Sequence, residues 1–390
     1  MTVNGLGLVV HGGRAEAVEA ACAVRAWAAE HDVRCTDIDV WHDGGRHHSG
    51  EEVAAAGDPD LIVTLGGDGT FLRGARLAAR NDALVLGVDL GRVGFLTEVP
   101  VCSVREALDA IREDRYTVDS RLLLTMRASR RLEVPADMER LMQYGRGPLL
   151  PPPQVRTDCE QDTDWGVPLH VAAVNDIVLE KLSRDRQVSV GVYVSGRLLA
   201  SYSADALLVA TPTGSTAYSF AAGGPVVSPC AEALVFTPVA PHMTFNRSVV
   251  TAPNEAVGLR VLERSGQAAV SVDGQVRGVL EPGDWIGVYA APTRLRVVRL
   301  AAMDFYGRLR ERMNLTDAPA AVADGTPAPL WSLRTPPPGD MAHISLPLMA
   351  ADYIDAKEPC ADWRERVGPA QAKLEKSAFP RHGQEGDENP

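Results

Sequence analysis

The sequence predicts an α/β domain followed by a β-rich, β-sandwich-like domain. Over roughly the first 115 residues, short apolar runs alternate with amphipathic ones. Beyond about residue 116, short alternating segments bounded by turn residues take over. The 390-residue length suits two domains better than one.

Leu6–Val10 reads as a buried strand and the Ala-rich stretch Ala15–Glu30 as a helix. Leu61–Leu65 is a second buried strand that runs into glycines, with a helix from Phe71 to Arg80 after it. Leu84–Val88 reads as a strand and Val104–Arg112 as a helix. Strands alternating with helices imply a largely parallel sheet. The second half offers strands at Leu122–Met126, Val171–Leu179, Val188–Val194, Leu207–Ala210, Gly258–Val261, Ala268–Val272, Ile286–Tyr289 and Leu295–Val298. Turns fall at residues 194–197 and 273–275, and a last helix at Asp304–Arg312. This gives an α/β domain over 1–115 and a β-rich domain over 116–300. A helix within 301–314 returns to the first domain, and an extension over 315–390 ends in a polar run expected to be disordered. Glu133–Leu169 is polar, carries Pro151-Pro152-Pro153, and interrupts what looks like an ordinary strand pair. It reads as an insertion over a ligand site, at an oligomer contact, or on an indifferent surface.

Apolar residues make up 45% of the chain, enough for real cores; aromatics are 5%, so Val, Leu and Ala must fill them. No run of about 18 apolar residues is present to span a bilayer. The N-terminus lacks the basic and apolar stretches of a secretory signal. The six cysteines are scattered without a CxxC pair, which suggests reduced thiols and a cytoplasmic location. A net charge of −12 argues against nucleic acid or an anionic membrane as partner. It does not argue against an anionic small substrate held by backbone amides and a few local cations.

Three segments carry chemistry. In the first, strand 61–65 runs into Gly66-Gly67-Asp68-Gly69-Thr70 and a helix follows. Glycines admit a phosphate close to the backbone, and the helix start offers unpaired N–H groups. A carboxylate repels phosphate, so Asp68 needs another role: accepting a proton from a hydroxyl nucleophile, ligating Mg²⁺, or merely capping the helix. The loop matches neither Gly-x-x-x-x-Gly-Lys-Ser/Thr nor Gly-x-Gly-x-x-Gly. The second segment, Thr211–Tyr218, follows strand 207–210 and is dense in hydroxyls, including Thr213 and Thr216. It can bond ribose and phosphate, with Tyr218 packing on a base, or be a polar surface loop. In the third, Asn175-Asp176 breaks an apolar strand. Its buried polar groups need partners, from a nucleoside or from a bulge or turn. His47-His48 reads as a solvated loop, His242 as a structural residue, and Arg130-Arg131 as a solvated strand end.

Together these segments resemble the NAD kinase family across roughly residues 5–315. The matching residues are Gly66–Thr70, Leu86–Leu96, Asn175-Asp176, Asp205, Thr211–Tyr218, Pro241-His242 and Asp273-Gly274-Gln275. The first motif is shared with diacylglycerol and sphingosine kinases; Thr-Pro-Thr-Gly-Ser-Thr-Ala-Tyr is specific to NAD kinases. The resemblance implies a Rossmann-like first domain of the diacylglycerol/NAD kinase type. It implies Asp68 as general base at the 2′-hydroxyl of the adenosine ribose of NAD. It also implies nucleotide or substrate binding by Gly66, Gly67, Gly69, Thr70, Leu72, Arg92, Phe95, Asn175, Asp176, Asp205, Thr213, Thr216, Ala217 and Tyr218. The donor would be ATP or polyphosphate with Mg²⁺, no metal being fixed by protein alone, and the assembly a homodimer or homotetramer. Asp176 stands where many members have Glu, and Ala206 replaces a frequent Gly. The insertion and long tail keep the acceptor open between NAD, NADH and another nucleoside or nucleotide. A binding protein without catalysis is the reading that an intact Asp68 argues against.

Overall fold

The computed structural model describes residues 3–40, 49–91, 94–135, 150–157, 164–182, 186–301, 304–316 and 339. In chain order the first part reads β1 (Gly5–Val10), α1 (Ala15–Glu30), β2 (Arg34–Asp37), α2 (Ser49–Ala55), β3 (Leu61–Leu65), α3 (Asp68–Arg80), β4 (Leu84–Asp89), β5 (Val99–Pro100) and α4 (Val104–Arg112). The rest reads β6 (Thr117–Ala128), β7 (Val167–Ala173), β8 (Asp176–Lys181), β9 (Val188–Val194), β10 (Arg197–Ala204), β11 (Ala206–Ala210), α5 (Tyr218–Ala221), β12 (Leu234–Val239), β13 (Val249–Thr251), β14 (Val257–Val261), β15 (Ala268–Val272), β16 (Gln275–Leu280), β17 (Trp285–Arg299) and α6 (Phe305–Arg312).

β2, β1, β3 and β4 form a parallel sheet in that order. Both faces of β1, β3 and β4 are covered, so these strands read as largely apolar runs, whereas the edge strand β2 is mostly polar. Leu6, Leu61, Val63, Leu84 and Leu86 pack under α1 and α4. Val9, Ile62 and Val85 face α3 with Phe71, Ala75 and Ala78. That second core also takes in Leu123, Val174, Ala291 and Leu295 from the β-rich part, so α3 is wedged between the two halves.

The long strand β17 joins them. Its end pairs parallel with β4 through Arg296–Leu84 and Val297–Val85, and its length pairs antiparallel with β6 and β14. One eleven-stranded sheet therefore runs through both halves. The six-stranded sheet β13-β12-β11-β8-β15-β16 packs on the β-rich end of it. Alternate residues point into the shared core: Leu122, Leu124 and Met126 from one side, Ile177 and Leu179 or Leu207 and Val209 from the other. Asp273 (φ 47°) and Gly274 (φ 73°) make the tight turn between β15 and β16; Ser195 and Gly196 do the same between β9 and β10.

Some elements differ from expectation. The single strand expected at 171–179 is two strands in different sheets, and Asn175 is where the chain crosses between them. The two strands expected at 286–298 are one strand with a register shift between Ala290 and Arg294. The expected insertion end overlaps β7, which begins at Val167. Arg130 is not merely solvated: its Nε pairs with Asp284 Oδ2 at 2.8 Å. Cys22, Cys35 and Cys230 are free thiols, whereas Cys102 is disulfide-bonded, against the expectation of reduced thiols throughout. His47-His48 and the tail beyond 316, apart from Gly339, lie outside the described residues.

Candidate active site

The buried strand β3 ends at Leu65, and α3 begins at Asp68 with Gly67 as its N-cap residue. The helix thus starts three residues earlier than expected and includes Asp68 in its first turn, where a negative charge suits the helix dipole. The Asp68 carboxylate reaches across to another loop. Oδ2 accepts from Phe95 N–H at 3.2 Å and Oδ1 from Leu96 N–H at 3.1 Å. The capping role is therefore not what holds it.

That second loop is shaped by Asp89 at the end of β4. Asp89 Oδ1 accepts from Gly91 N–H at 2.8 Å, and Oδ2 from the Thr97 hydroxyl at 2.8 Å and Gly94 N–H at 3.1 Å. A side chain at Gly94 would put its Cβ 1.9 Å from Asp68 Oδ1, so the close approach requires glycine. Helix α6 closes the loop from outside: Arg308 Nη1 donates to Thr97 O at 2.8 Å, and the Phe95 and Phe305 rings lie 6.3 Å apart. Phe95 is half-buried against that helix. Arg92 lies outside the described residues.

Three loops meet around Asn175. Asp273 accepts from Val174, Asn175 and Asp176 N–H at 2.9, 2.7 and 3.1 Å, which pins the crossover to the β15–β16 turn. Thr211 donates its N–H to Asn175 O at 2.9 Å and its hydroxyl to Val174 O at 2.5 Å. Of the hydroxyls expected to face a ligand, several bond the protein instead. Ser215 is fully buried and donates to Pro212 O at 2.7 Å, and Ser219 bonds Thr237 at 3.0 Å. Thr213 is buried, and Thr216 donates to its carbonyl at 3.3 Å. Tyr218 keeps 42% of its surface exposed. Burial and then the nearby carboxylates of Glu180, Asp176 and Asp205 raise its pKa. Asp205 also pairs with Lys181 at 2.7 Å. Asp176 is buried; desolvation, then Asp273 and Glu180, push its pKa up to about 7. A ribose or base edge would supply the hydrogen bonds that such a buried acid wants.

A cavity of about 710 Å³ opens between α3 and the β-rich part. Gly67, Gly69, Thr70 and Leu72 line one side; Asp273, Gly274 and Gln275 line another. Asn175, Asp176, Asp205 and Tyr218 are not among its walls, so the glycine loop and the Tyr218 cluster flank the 174–176 crossover rather than share one chamber. Among the described residues Arg14, Arg73, Arg76, Arg80, Arg156 and Arg277 line it against a single carboxylate, Asp273. Arg76 pairs with Glu52 at 3.2 Å. Burial, then the neighbouring Arg76, disfavours the charge on Arg277. Arg14, Arg156 and Arg277 are scattered singly along the chain, and nothing in their spacing announced them, whereas Arg73, Arg76 and Arg80 share one side of α3, which a helical wheel could have shown.

A carboxylate held in a glycine loop, with that loop's Gly67 and Gly69 bordering a cationic cavity large enough for a phosphate chain, is the equipment of a phosphotransferase that acts on a hydroxyl. Residues 28–116 match the ATP-NAD kinase N-terminal domain, and residues 174–300 the ATP-NAD kinase C-terminal domain. Over 352 residues the chain is 76% identical to NAD kinase 1 of Streptomyces coelicolor, spanning 90% of this chain and 97% of that protein. It is 77% identical over 347 residues to NAD kinase 1 of Streptomyces avermitilis, spanning 89% of this chain and 97% of that protein. The chain belongs to the NAD kinase family. Its fold is similar to that of yeast NADH kinase complexed with NADH, at a TM-score of 0.64 and 20% identity over 81% of this chain and 89% of that one.

Proposed function

We propose that this protein transfers the γ-phosphate of ATP to the 2′-hydroxyl of the adenosine ribose of NAD, giving NADP. The observation that carries the reading is Asp68, fixed by Phe95 and Leu96 N–H at the edge of a glycine loop that opens on a cationic cavity. Family membership, at 76% identity to a named NAD kinase, supports the acceptor and the donor. In this scheme Asp68 takes the proton of the ribose hydroxyl as its oxygen bonds the γ-phosphorus. The bond from that phosphorus to the β–γ bridging oxygen breaks, and ADP leaves with the electron pair. Most of the work is positioning and charge neutralisation.

Gly66, Gly67, Gly69, Thr70 and Leu72 would border the donor phosphates and the reacting ribose. Asn175, Thr216, Ala217 and Tyr218 would hold the adenosine, with Asp176 and Asp205 accepting from hydroxyls. Among the described residues no group of three or more His, Cys, Asp or Glu could hold a metal. Mg²⁺ would arrive with the donor phosphates, where it would supply charge neutralisation. No helix among the described residues is long and apolar enough to cross a membrane. Exposed Leu198 and Leu199 on edge strand β10, and Val250 on edge strand β13, support assembly through the β-rich part as a homodimer or homotetramer.

The test is purified protein with NAD, ATP and Mg²⁺, product identified by mass spectrometry and the phosphate placed at the 2′ position. Asp68→Asn is expected to cut kcat by about 10²–10⁴, the usual weight of a general base. Turnover of another nucleoside or nucleotide with little on NAD would replace this reading with a paralogue of different acceptor.

A further inference from the structure

We propose that the stretch 150–157, inside the insertion and between the two family-matched regions, is part of the phosphoryl-donor site, with Arg156 a ligand of the donor's phosphate chain. This rests on the kinase reading above and adds a residue and a segment to it.

The placement comes from strand register. Residues 154–156 run antiparallel beside β7. Arg156 N–H donates to Pro168 O at 2.9 Å, His170 N–H donates to Gln154 O at 2.8 Å, and Val155 bridges Leu169. Side chains alternate along an extended segment. Val155 packs into the sandwich core, so Gln154 and Arg156 face the other way, and both line the cavity. Leu150 joins them there. The added strand is thus anchored by its apolar residue and delivers its polar ones to the chamber that Gly67, Gly69 and Thr70 border.

Charge says what the chamber takes. Six arginines face one carboxylate among the described walls, in a protein of net charge −12. That carboxylate, Asp273, already accepts three backbone N–H bonds. Two buried side-chain atoms on the walls also have no hydrogen-bond partner: Thr70 Oγ1 and Arg277 Nε. Thr70 is 2% exposed and Arg277 8%. A buried donor without an acceptor is costly, and a phosphate oxygen is the acceptor that both guanidinium and hydroxyl suit. Arg156 stands in the same chamber, and its planar fork matches phosphate oxygens. A triphosphate chain spanning from the glycine loop would meet Thr70 at one wall and Arg156 at another.

The experiment compares wild type, Arg156→Gln and Arg156→Lys. It reads the KM for ATP and for NAD separately, and the affinity for a non-hydrolysable ATP analogue by calorimetry. Arg156→Gln is expected to raise the KM for ATP and weaken the analogue about tenfold, leaving the KM for NAD within about twofold. Arg156→Lys keeps the charge and is expected to recover part of the loss. A thermal melt of each variant accompanies the titration, so that a loss of fold is read separately from a loss of analogue affinity. Unchanged analogue affinity, or equal rises in both KM values, overturns the proposal. Should wild type itself fail to form NADP, the kinase reading fails instead, and the analogue titration still reports on Arg156.

Discussion

Gly94→Ala tests how Asp68 is held. The backbone at Gly94 has no positive φ, so alanine costs nothing in conformation and acts only through its methyl. That methyl would lie 1.9 Å from Asp68 Oδ1, 2.6 Å from Cγ and 2.8 Å from Oδ2. Ordinary contact begins near 3.4 Å, so the carboxylate must retreat by about 1.5 Å. Its bonds to Phe95 and Leu96 N–H, at 3.2 and 3.1 Å, cannot survive that shift. A displacement of about 1 Å at a reacting group costs on the order of 10² in rate. We therefore expect kcat to fall about 10²–10³-fold. Hydrogen bonds to a carboxylate contribute about 1.5–3 kcal/mol each when buried. Asp68 is half-buried and water replaces part of that, so the stability loss should stay near 1–2 kcal/mol. Steady-state kinetics with a thermal melt checks both. The decisive arm is a double-mutant cycle with Asp68→Asn: if Gly94→Ala acts through the base, it adds little in that background. Wild-type kcat in Gly94→Ala, or full additivity in the double mutant, would refute the coupling of loop and carboxylate.

The glycines of the first motif should separate into two kinds. A Cβ at Gly66 would sit 2.2 Å from Thr70 Oγ1, so Gly66→Ala should lose 1–3 kcal/mol in a denaturant titration, about the cost of overpacking. Nothing lies within 4 Å of a Cβ at Gly67 or Gly69, so alanine there should melt like wild type while the KM for ATP rises several-fold. Asp176, pushed up to about 7 by burial and then by Asp273 and Glu180, holds its proton in the fold where the unfolded chain releases it near pH 4. The fold binds more protons between those values, so stability falls as pH rises from about 4 to 7, by about 4 kcal/mol at most. Asp176→Asn should flatten that slope in melting temperature against pH. Asp273, raised to about 6 chiefly by burial, acts with the same sign. Glu98 pairs with the buried Arg299 at 2.6 Å and accepts from Leu300 and Ala301 N–H, so Glu98→Ala should cost about 3–5 kcal/mol of stability by chemical denaturation.

Much of the first half was legible because its signals are local. α1, β3 and α4 fall at the expected residues, since unbroken apolar runs and helical spacing depend only on near neighbours. β2, β10, β12 and β16 were not anticipated. β2 is four largely polar residues, and β10 is exposed over Arg197–Leu199 at a sheet edge, with only Tyr202 and Ala204 of its second half buried, so neither shows a continuous buried face in its own sequence. The break at Asn175-Asp176 was visible, but a passage between two sheets is a long-range fact and looks the same in one dimension as a bulge.

The site divides in the same way. The order of residue types alone set the chemistry available: a carboxylate among glycines at the end of a buried strand, a Thr-Pro-Thr-Gly-Ser-Thr-Ala-Tyr loop, and hence the family resemblance. Which partner each group meets follows from packing. Asp68 is held by amides 27 and 28 residues away, most of the second loop's hydroxyls brace the protein itself, and arginines from α3, β16 and the insertion gather around one cavity. The reason is physical: residue type sets which bonds a side chain can make, and packing sets which partner is within 3 Å.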